Sequence, residues 1–393
     1  MPWKETDSML ERCSFIAEHA RKESSMTELC AQYEVSRKTG YKWLKRFDPE
    51  ASASLVDRSK VAHSRPHRTS DDIETLLVLL KTEYPTWGPK KLVALMQQRW
   101  PELDVPAAST AQAILGDHQL VERCPQRGRK GIVRATALIQ AQASNDCMSI
   151  DHKGHFALGD GSRCYPLTII DNYSRHLHAC EALTGTDTAL ARRVIERCFR
   201  ESGLPLCIRT DNGSPFCSNR GLCLSALSVW WMRLGIKHER ITPGRPQQNG
   251  RIERMHRVLK AETATEPAAN LIEQQRRFDR WRPEYNLERP HEALNMRTPE
   301  SVYVPSPRQL PDQLPPLSYP PHYLRRTINE SGQLCFEGNV LFISEVLRHE
   351  DVGLEHFGDE RVRIWAGHLP LGFLDLRSTK FVIYDEAEQL TVT

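Results

Sequence analysis

Arg209-Thr210-Asp211-Asn212-Gly213-Ser214-Pro215-Phe216 and, farther on, Pro243-Gly244-Arg245-Pro246-Gln247-Gln248-Asn249-Gly250-Arg251-Ile252-Glu253-Arg254-Met255-His256-Arg257 bound the stretch that decides how this chain is read. The apolar, β-prone run Leu206-Cys207-Ile208 leads into Asp211, so that carboxylate stands where a buried strand ends and a glycine-bearing turn begins. Glu253 falls early in a proline-free segment from Gln247 to about Glu262, with helix-period apolar positions at Ile252, Met255, Val258 and Leu259. A third acid, Asp151, lies in Met148-Ser149-Ile150-Asp151-His152-Lys153-Gly154. If the fold brings them to one point, three acidic oxygen donors suit a hard divalent cation. Taken singly, each has a plainer reading: an Asp-Asn-Gly turn uses its own aspartate, and a Glu on an Arg-rich helix forms solvated ion pairs.

Four motifs in order carry more than any single acid. Ser149 to Gly154, Thr210 to Phe216, Pro243 to Arg257 and Tyr285-Asn286-Leu287-Glu288-Arg289-Pro290-His291 resemble the core of DDE transposases and retroviral integrases. The nearest likeness is to the four-eighty-one family of bacterial insertion-sequence transposases, and it spans Asp151 to Pro299. The resemblance implies a ribonuclease-H-like core in which Asp151, Asp211 and Glu253 are both the catalytic residues and the metal ligands. It implies two Mg²⁺ ions, with Mn²⁺ able to substitute, Asp151 bridging both while Asp211 and Glu253 each close one side. The implied activity is cutting and joining of double-stranded DNA, at the element's terminal repeats and at a target. Water attacks first at the transposon end; the freed 3′ hydroxyl then attacks target DNA without a covalent protein intermediate. The chain departs from the retroviral pattern in having no His-His-Cys-Cys cluster before the core and 41 residues between Asp211 and Glu253. A reading from another class is a DNA-binding regulator whose integrase-like core has lost catalysis; retention of all three acids argues against it.

At 393 residues the chain exceeds one compact core, so a multidomain protein is expected. A net charge of +3 does not announce a nucleic-acid partner, but its distribution is uneven. Lys and Arg number 22 against 18 acidic residues over 1–134, and 8 against 13 over 301–393. Eleven cysteines without a Cys-x-x-Cys argue for reduced thiols rather than a disulfide framework or zinc finger. No apolar run approaches the roughly 18 residues of a membrane span, and no signal-peptide core opens the sequence. A cytoplasmic protein, nucleoid-associated in a bacterium, with no membrane partner, is the expectation.

In chain order, residues 1–62 read as a helix-turn-helix DNA-binding domain. A helical stripe over 5–22 is followed by a Ser24-Ser25 cap and a short helix holding Leu29, Cys30 and Tyr33. Ser36 then caps a helix to Phe47 whose Arg37, Lys38, Lys42, Lys45 and Arg46 have no acidic neighbour, as suits a helix entering a major groove. The alternative is a three-helix domain with a solvated basic face, and Gly40 weakens this last helix by roughly 1 kcal/mol. Residues 66–134 form a second helix-turn-helix candidate: helix Asp71 to Glu83, a helix opened by Trp87-Gly88-Pro89, and a third capped by Ser109. Its basic arm, with Arg127, Arg129 and Lys130, either follows DNA or is a solvated linker. Residues 138–302 form the catalytic core, predicted as three strands (147–158, 164–172, 176–183), helix 187–202, strand 206–210, helix 221–234, strand 236–239, the Glu253 helix and helix 271–285. Seven prolines between Pro305 and Pro321 make 303–322 a stiff, extended spacer. Short strands over 323–393 suggest a small antiparallel β-barrel, resembling the C-terminal domain of integrases; its acidity points to multimer assembly, a homo-multimer on DNA, rather than duplex binding. Finally, helical spacing from Glu253 puts Asn249, His256, Arg257 and Lys260 on one stripe. Asn249, Arg257 and Lys260 are expected to meet DNA there; surface ion pairing is the alternative.

Overall fold

The computed structural model describes residues 8–51, 54–57, 68–121, 138–218, 222–358 and 360–384. The chain divides into two units, Met1–Arg68 and Thr69–Thr393. In the first, α1 (Ser8–Arg21), α2 (Met26–Gln32) and α3 (Arg37–Arg46) surround a core of Phe15, Ile16, Leu29, Cys30, Trp43 and Leu55. The Ser25 hydroxyl accepts from the Glu28 amide while the Glu28 carboxylate accepts from the Ser25 amide, a reciprocal cap; Ser36 caps α3 at Thr39. Gly40 is explained by packing. A Cβ there would lie 2.9 Å from both Cys30 Sγ and Phe15 Cζ, so helix propensity is given up for a close crossing of α3 over α1 and α2.

The second unit begins with α4 (Asp71–Glu83), α5 (Pro89–Arg99) and α6 (Ala108–Asp117), closed over Leu77, Leu80, Trp87, Leu92, Met96 and Leu115. The expected Ser109 cap is not formed: the helix starts two residues earlier, with Ala107 at its N-cap and no side-chain cap bond. This bundle docks on the region that follows. The Tyr84 hydroxyl and the Arg99 guanidinium both donate to the Glu288 carboxylate, at 2.7 and 2.6 Å. The Arg289 guanidinium lies 5.3 Å from the Trp87 ring centre and pairs at 2.6 Å with the buried Glu262.

The core is a sheet ordered β4-β3-β1-β5-β6, made of β1 (Met148–His152), β3 (Arg163–Asp171), β4 (Leu177–Leu183), β5 (Cys207–Thr210) and β6 (Lys237–Arg240). β2 (Phe156–Ala157) continues along β3 beyond β1. β1, β3 and β4 are antiparallel, whereas β1-β5 and β5-β6 are parallel. Parallel pairing demands crossovers, which α7 (Thr188–Ser202) and α8 (Ala226–Arg233) supply on one face with Met148, Ile150, Leu167 and Ile169 beneath them. α9 (Gly250–Leu259) and α10 (Leu271–Pro283) cover the other face through Ile252, Met255, Leu259, Phe278 and Trp281. This is the ribonuclease-H-like order the sequence implies.

Residues 303–322 are not a free spacer. Leu310 and Leu314 pack against the core and Leu317 is buried, while the backbone carbonyls between prolines are met by side chains: Arg233 donates to Leu314 and Pro315. In turn Arg308 donates to the carbonyls of Pro205, Leu234 and Gly235. Gly203, at φ +77, permits the approach, since a Cβ would lie 2.6 Å from the Ser306 carbonyl oxygen.

The last segment holds β7 (Leu324–Thr327), β8 (Gln333–Phe336), β9 (Asn339–Phe342), β10 (Asp351–His356), β11 (Arg361–Ala366), β12 (Leu369–Asp375) and β13 (Lys380–Ile383). Among the described residues it is an open five-stranded sheet, β13-β12-β11-β10-β7, beside a β8-β9 hairpin, and not the closed barrel expected. Its apolar side is covered otherwise: Leu222, Leu224, Val229 and Met232, from α8 and the loop before it, join Val352, Leu354, Val362 and Ile364 in one core.

Candidate active site

β1 and β5 run parallel, with Met148 opposite Ile208 and Ser149 opposite Arg209. Carried two residues further, that register sets Asp151 level with Asp211 across strands about 4.8 Å apart. Ser149 and Asp151 share the face opposite Met148 and Ile150, which is the face α9 covers. Glu253, exposed, sits in the first turn of that helix.

α9 is fastened to β1 through β3. Thr168 lies opposite Asp151; its hydroxyl donates to the Asp151 carbonyl oxygen at 3.1 Å and lies 2.7 Å from His256 Nε2. His256, one turn after Glu253, is 5% exposed and its Nδ1 is 3.8 Å from the Asp151 carboxylate. Burial, then the charges of Lys153 and His152, push that imidazole down to about 3, so it is neutral and the 3.8 Å approach is not an ion pair.

Electrostatics tie the three acids together. Burial, then the charge of Asp211 and less strongly that of Glu253, raise the Asp151 carboxyl to about 7. Such coupling requires the carboxylates to be near one another. A carboxyl that burial and two neighbouring acids keep from ionising fits a dication, whose charge offsets that resistance. Beside them His152, whose ring centre is 5.9 Å from that of Phe216, is pushed down to about 4 by burial, and neither of its ring nitrogens has a hydrogen-bond partner.

The turn after β5 is held from β6 and the loop beyond. Asn212 Nδ2 donates to the Ile241 carbonyl at 2.7 Å, and the Gly213 amide donates to Asp211 Oδ1 at 3.1 Å. Gln248 closes the loop ahead of α9, accepting from the Thr242 amide at 2.6 Å and donating to its hydroxyl at 3.1 Å. At the β3-β4 turn the fully buried Asp171 accepts from the amides of Asn145 and Ser174 and from the Ser174 hydroxyl. The sequence reading put Asp171 inside strand 164–172; an Asp with Ser three residues on was the available signal for this buried carboxylate. Nothing in the sequence marked Thr168.

The expected DNA contacts divide by exposure. On α3, Arg37, Lys38, Lys42 and Lys45 are exposed and Arg46 is half-buried; Lys42 and Arg46 lie 4.7 and 5.2 Å from the Trp43 ring centre, which Arg12 also approaches. Arg127, Arg129 and Lys130 lie outside the described residues. On the α9 stripe Arg257 and Lys260 are exposed, but Asn249 is 3% exposed. The outward stripe therefore excludes both Asn249 and His256, because α9 tilts its N-terminal end and its His256 side into the sheet.

Two segments match models described as integrase core domain, residues 141–246 and 234–299, and residues 39–115 match a homeodomain-like domain. The chain is 28% identical over 251 residues to the 39.2 kDa protein of insertion element IS476 from Xanthomonas euvesicatoria, covering 63% of each chain. It is 27% identical over 238 residues to the 31.7 kDa protein of insertion element IS407 from Burkholderia multivorans, covering 60% of this chain and 82% of that one. The match thus spans less than two thirds of the IS476 protein. Among solved structures, the HTLV-2 integrase catalytic core domain in complex with magnesium aligns with a TM-score of 0.34 and 15% identity, over 42% of this chain and all of that one. The chain carries a homeodomain-like segment followed by a retroviral-integrase-like core, and is related to insertion-element proteins.

Proposed function

We propose that this chain is a transposase that binds the ends of an insertion sequence, cleaves DNA there and joins the ends to target DNA. Asp151, Asp211 and Glu253 are its catalytic residues and would hold two Mg²⁺ ions, for which Mn²⁺ could substitute. When bound, such ions supply charge stabilisation to the attacking and leaving oxygens of the phosphodiester. The observation that carries the reading is the β1-β5 register that sets Asp151 level with Asp211 under the helix bearing Glu253, which the raised Asp151 carboxyl supports.

The protein's own groups do the remainder. Thr168 and the neutral His256 fix α9, the helix that carries Glu253, against β1. Asn212 and Gly213 fix the turn that presents Asp211. Arg257 and Lys260 meet phosphates beside the scissile bond, and the α3 cations bind the element's ends. The exposed, acidic C-terminal sheet serves assembly of a homo-multimer on DNA. The working boundaries are 1–62 and 66–134 for DNA binding, 138–302 for catalysis, 303–322 as connection and 323–393 for assembly.

The test is cleavage and strand transfer on the element's own ends with Asp151→Ala. Loss of both reactions in Mg²⁺, with end binding retained, is expected. Retained reaction would overturn the assignment, and an inactive wild type that still binds the ends would favour the regulator instead.

A further inference from the structure

The strands that carry Asp151 and Asp211 each hold a cysteine four residues earlier, on the same face: Cys147 on the approach to β1 and Cys207 at the start of β5. The β1-β5 register, stepped back one place from Met148 opposite Ile208, sets the two cysteines side by side. The next strand adds a carboxylate. Glu239 of β6 lies opposite Arg209 of β5, on the face Cys207 also occupies. One ligand atom from each of Cys147, Cys207 and Glu239 lies within 4.8 Å of the other two. Cys147 and Cys207 are 0% and 1% exposed.

We propose that Cys147, Cys207 and Glu239 form a second metal site, for a thiophilic ion of the Zn²⁺ or Cd²⁺ class, about 13 Å along the same strands from the carboxylates. Two sulfur donors and one carboxylate select borderline and soft ions over Mg²⁺. Metal–sulfur bonds of about 2.3 Å in a tetrahedron put the sulfurs about 3.8 Å apart, inside the 4.8 Å that bounds the separation of these ligand atoms. A water molecule takes the fourth position.

The surroundings suit a ligand set rather than a plain core pocket. Asn172 Nδ2 donates to Cys147 Sγ at 3.3 Å, and Arg209 Nε donates to Glu239 Oε2 at 2.8 Å within an ion pair. These are the outer partners that orient ligands and stabilise their anionic forms. The hydrogen bond between the two thiols holds Cys147 below its ordinary value and, with burial, pushes Cys207 well above it, so a bound ion must displace the Cys207 proton. The Ile139 amide donates to Glu239 Oε1 at 2.9 Å, and its carbonyl accepts from Arg209. Displacing that one amide frees the carboxylate oxygen. An ion here would clamp β1, β5 and β6 at the end remote from catalysis and so fix the register that aligns Asp151 with Asp211.

The test is a Cd²⁺ titration of the full-length protein in excess Mg²⁺, followed by thiolate-to-cadmium charge-transfer absorption. One tight equivalent is expected. It should disappear in Cys147→Ser with Cys207→Ser, persist in Cys335→Ser, whose cysteine is exposed on β8, and weaken at least tenfold in Glu239→Gln, the loss that removing even an outer partner brings. An undiminished band in the double variant, or none in the wild type, would overturn the proposal. Cadmium NMR on the wild-type protein decides the matter if the double variant fails to fold: a shift in the mixed sulfur–oxygen range supports the site, and an all-sulfur or all-oxygen shift refutes it.

Discussion

At the scale of single residues, Asp151 is where the fold works against itself. Its carboxyl ordinarily ionises near 3.8, but burial and the neighbouring acids raise it to about 7. Between those values the folded chain holds a proton that the unfolded chain has released, so stability of the metal-free protein falls as pH rises through that window. The slope is on the order of 1 kcal/mol per pH unit. Thermal unfolding in chelator from pH 4 to 8 should show the decline, and Asp151→Asn should remove it while raising the midpoint at pH 8. A wild-type midpoint flat over that range, or a variant that melts lower, would contradict the coupling of the three acids. Gly40 presents a second conflict of effects. Replacing it with Ala improves helix propensity by about 1 kcal/mol, yet the new methyl meets Cys30 and Phe15 at 2.9 Å. Overpacking of about 1–3 kcal/mol should win. Amide hydrogen exchange in α2 and α3 should then quicken in Gly40→Ala; slower exchange would show that propensity decides.

At the scale of elements, α9 has two jobs on two sides. Ile252, Met255 and Leu259 bury one side, and His256 turns toward Thr168, leaving Arg257 and Lys260 outward. Arg257→Glu with Lys260→Glu should therefore abolish strand transfer while the unfolding midpoint and end binding stay near wild type; normal strand transfer would show that the helix seats no DNA. Most of these elements were legible beforehand. α4 runs over Asp71–Glu83 as read, and β5, α7 and α9 fall within a few residues of expectation, because 3.6-residue and two-residue periodicities are local signals. His256 was placed on the outward stripe because helical spacing gives a face but not its tilt against the sheet. β7 and β13 were missed: Leu324–Thr327 is exposed along its length, so no burial pattern marks it as a strand.

At the scale of the whole molecule, the second unit is held together across its expected boundaries. Arg308 meets three carbonyls of the core, and Leu317 shares a core with α8 and the C-terminal sheet. Proline content alone suggested a spacer; the leucines between the prolines, and the arginines that satisfy carbonyls no proline N–H can answer, make it a strap. Arg308→Ala should lose roughly 1.5–3 kcal/mol of charged hydrogen bonding and open 303–322 to limited proteolysis, and equal resistance in variant and wild type would deny the strap that role. The order of the core strands followed from sequence, since motif order and parallel crossovers constrain it, whereas the open C-terminal sheet did not, since closure depends on long-range pairing. In the proposed reaction Asp211 acts with Asp151 and Glu253 through a metal, and a ligand swap tests this. End cleavage by Asp211→Cys is measured in Mg²⁺ and in Mn²⁺, which accepts sulfur more readily. The expected result is no cleavage in Mg²⁺ and partial recovery in Mn²⁺; cleavage at the wild-type rate in Mg²⁺ would contradict it.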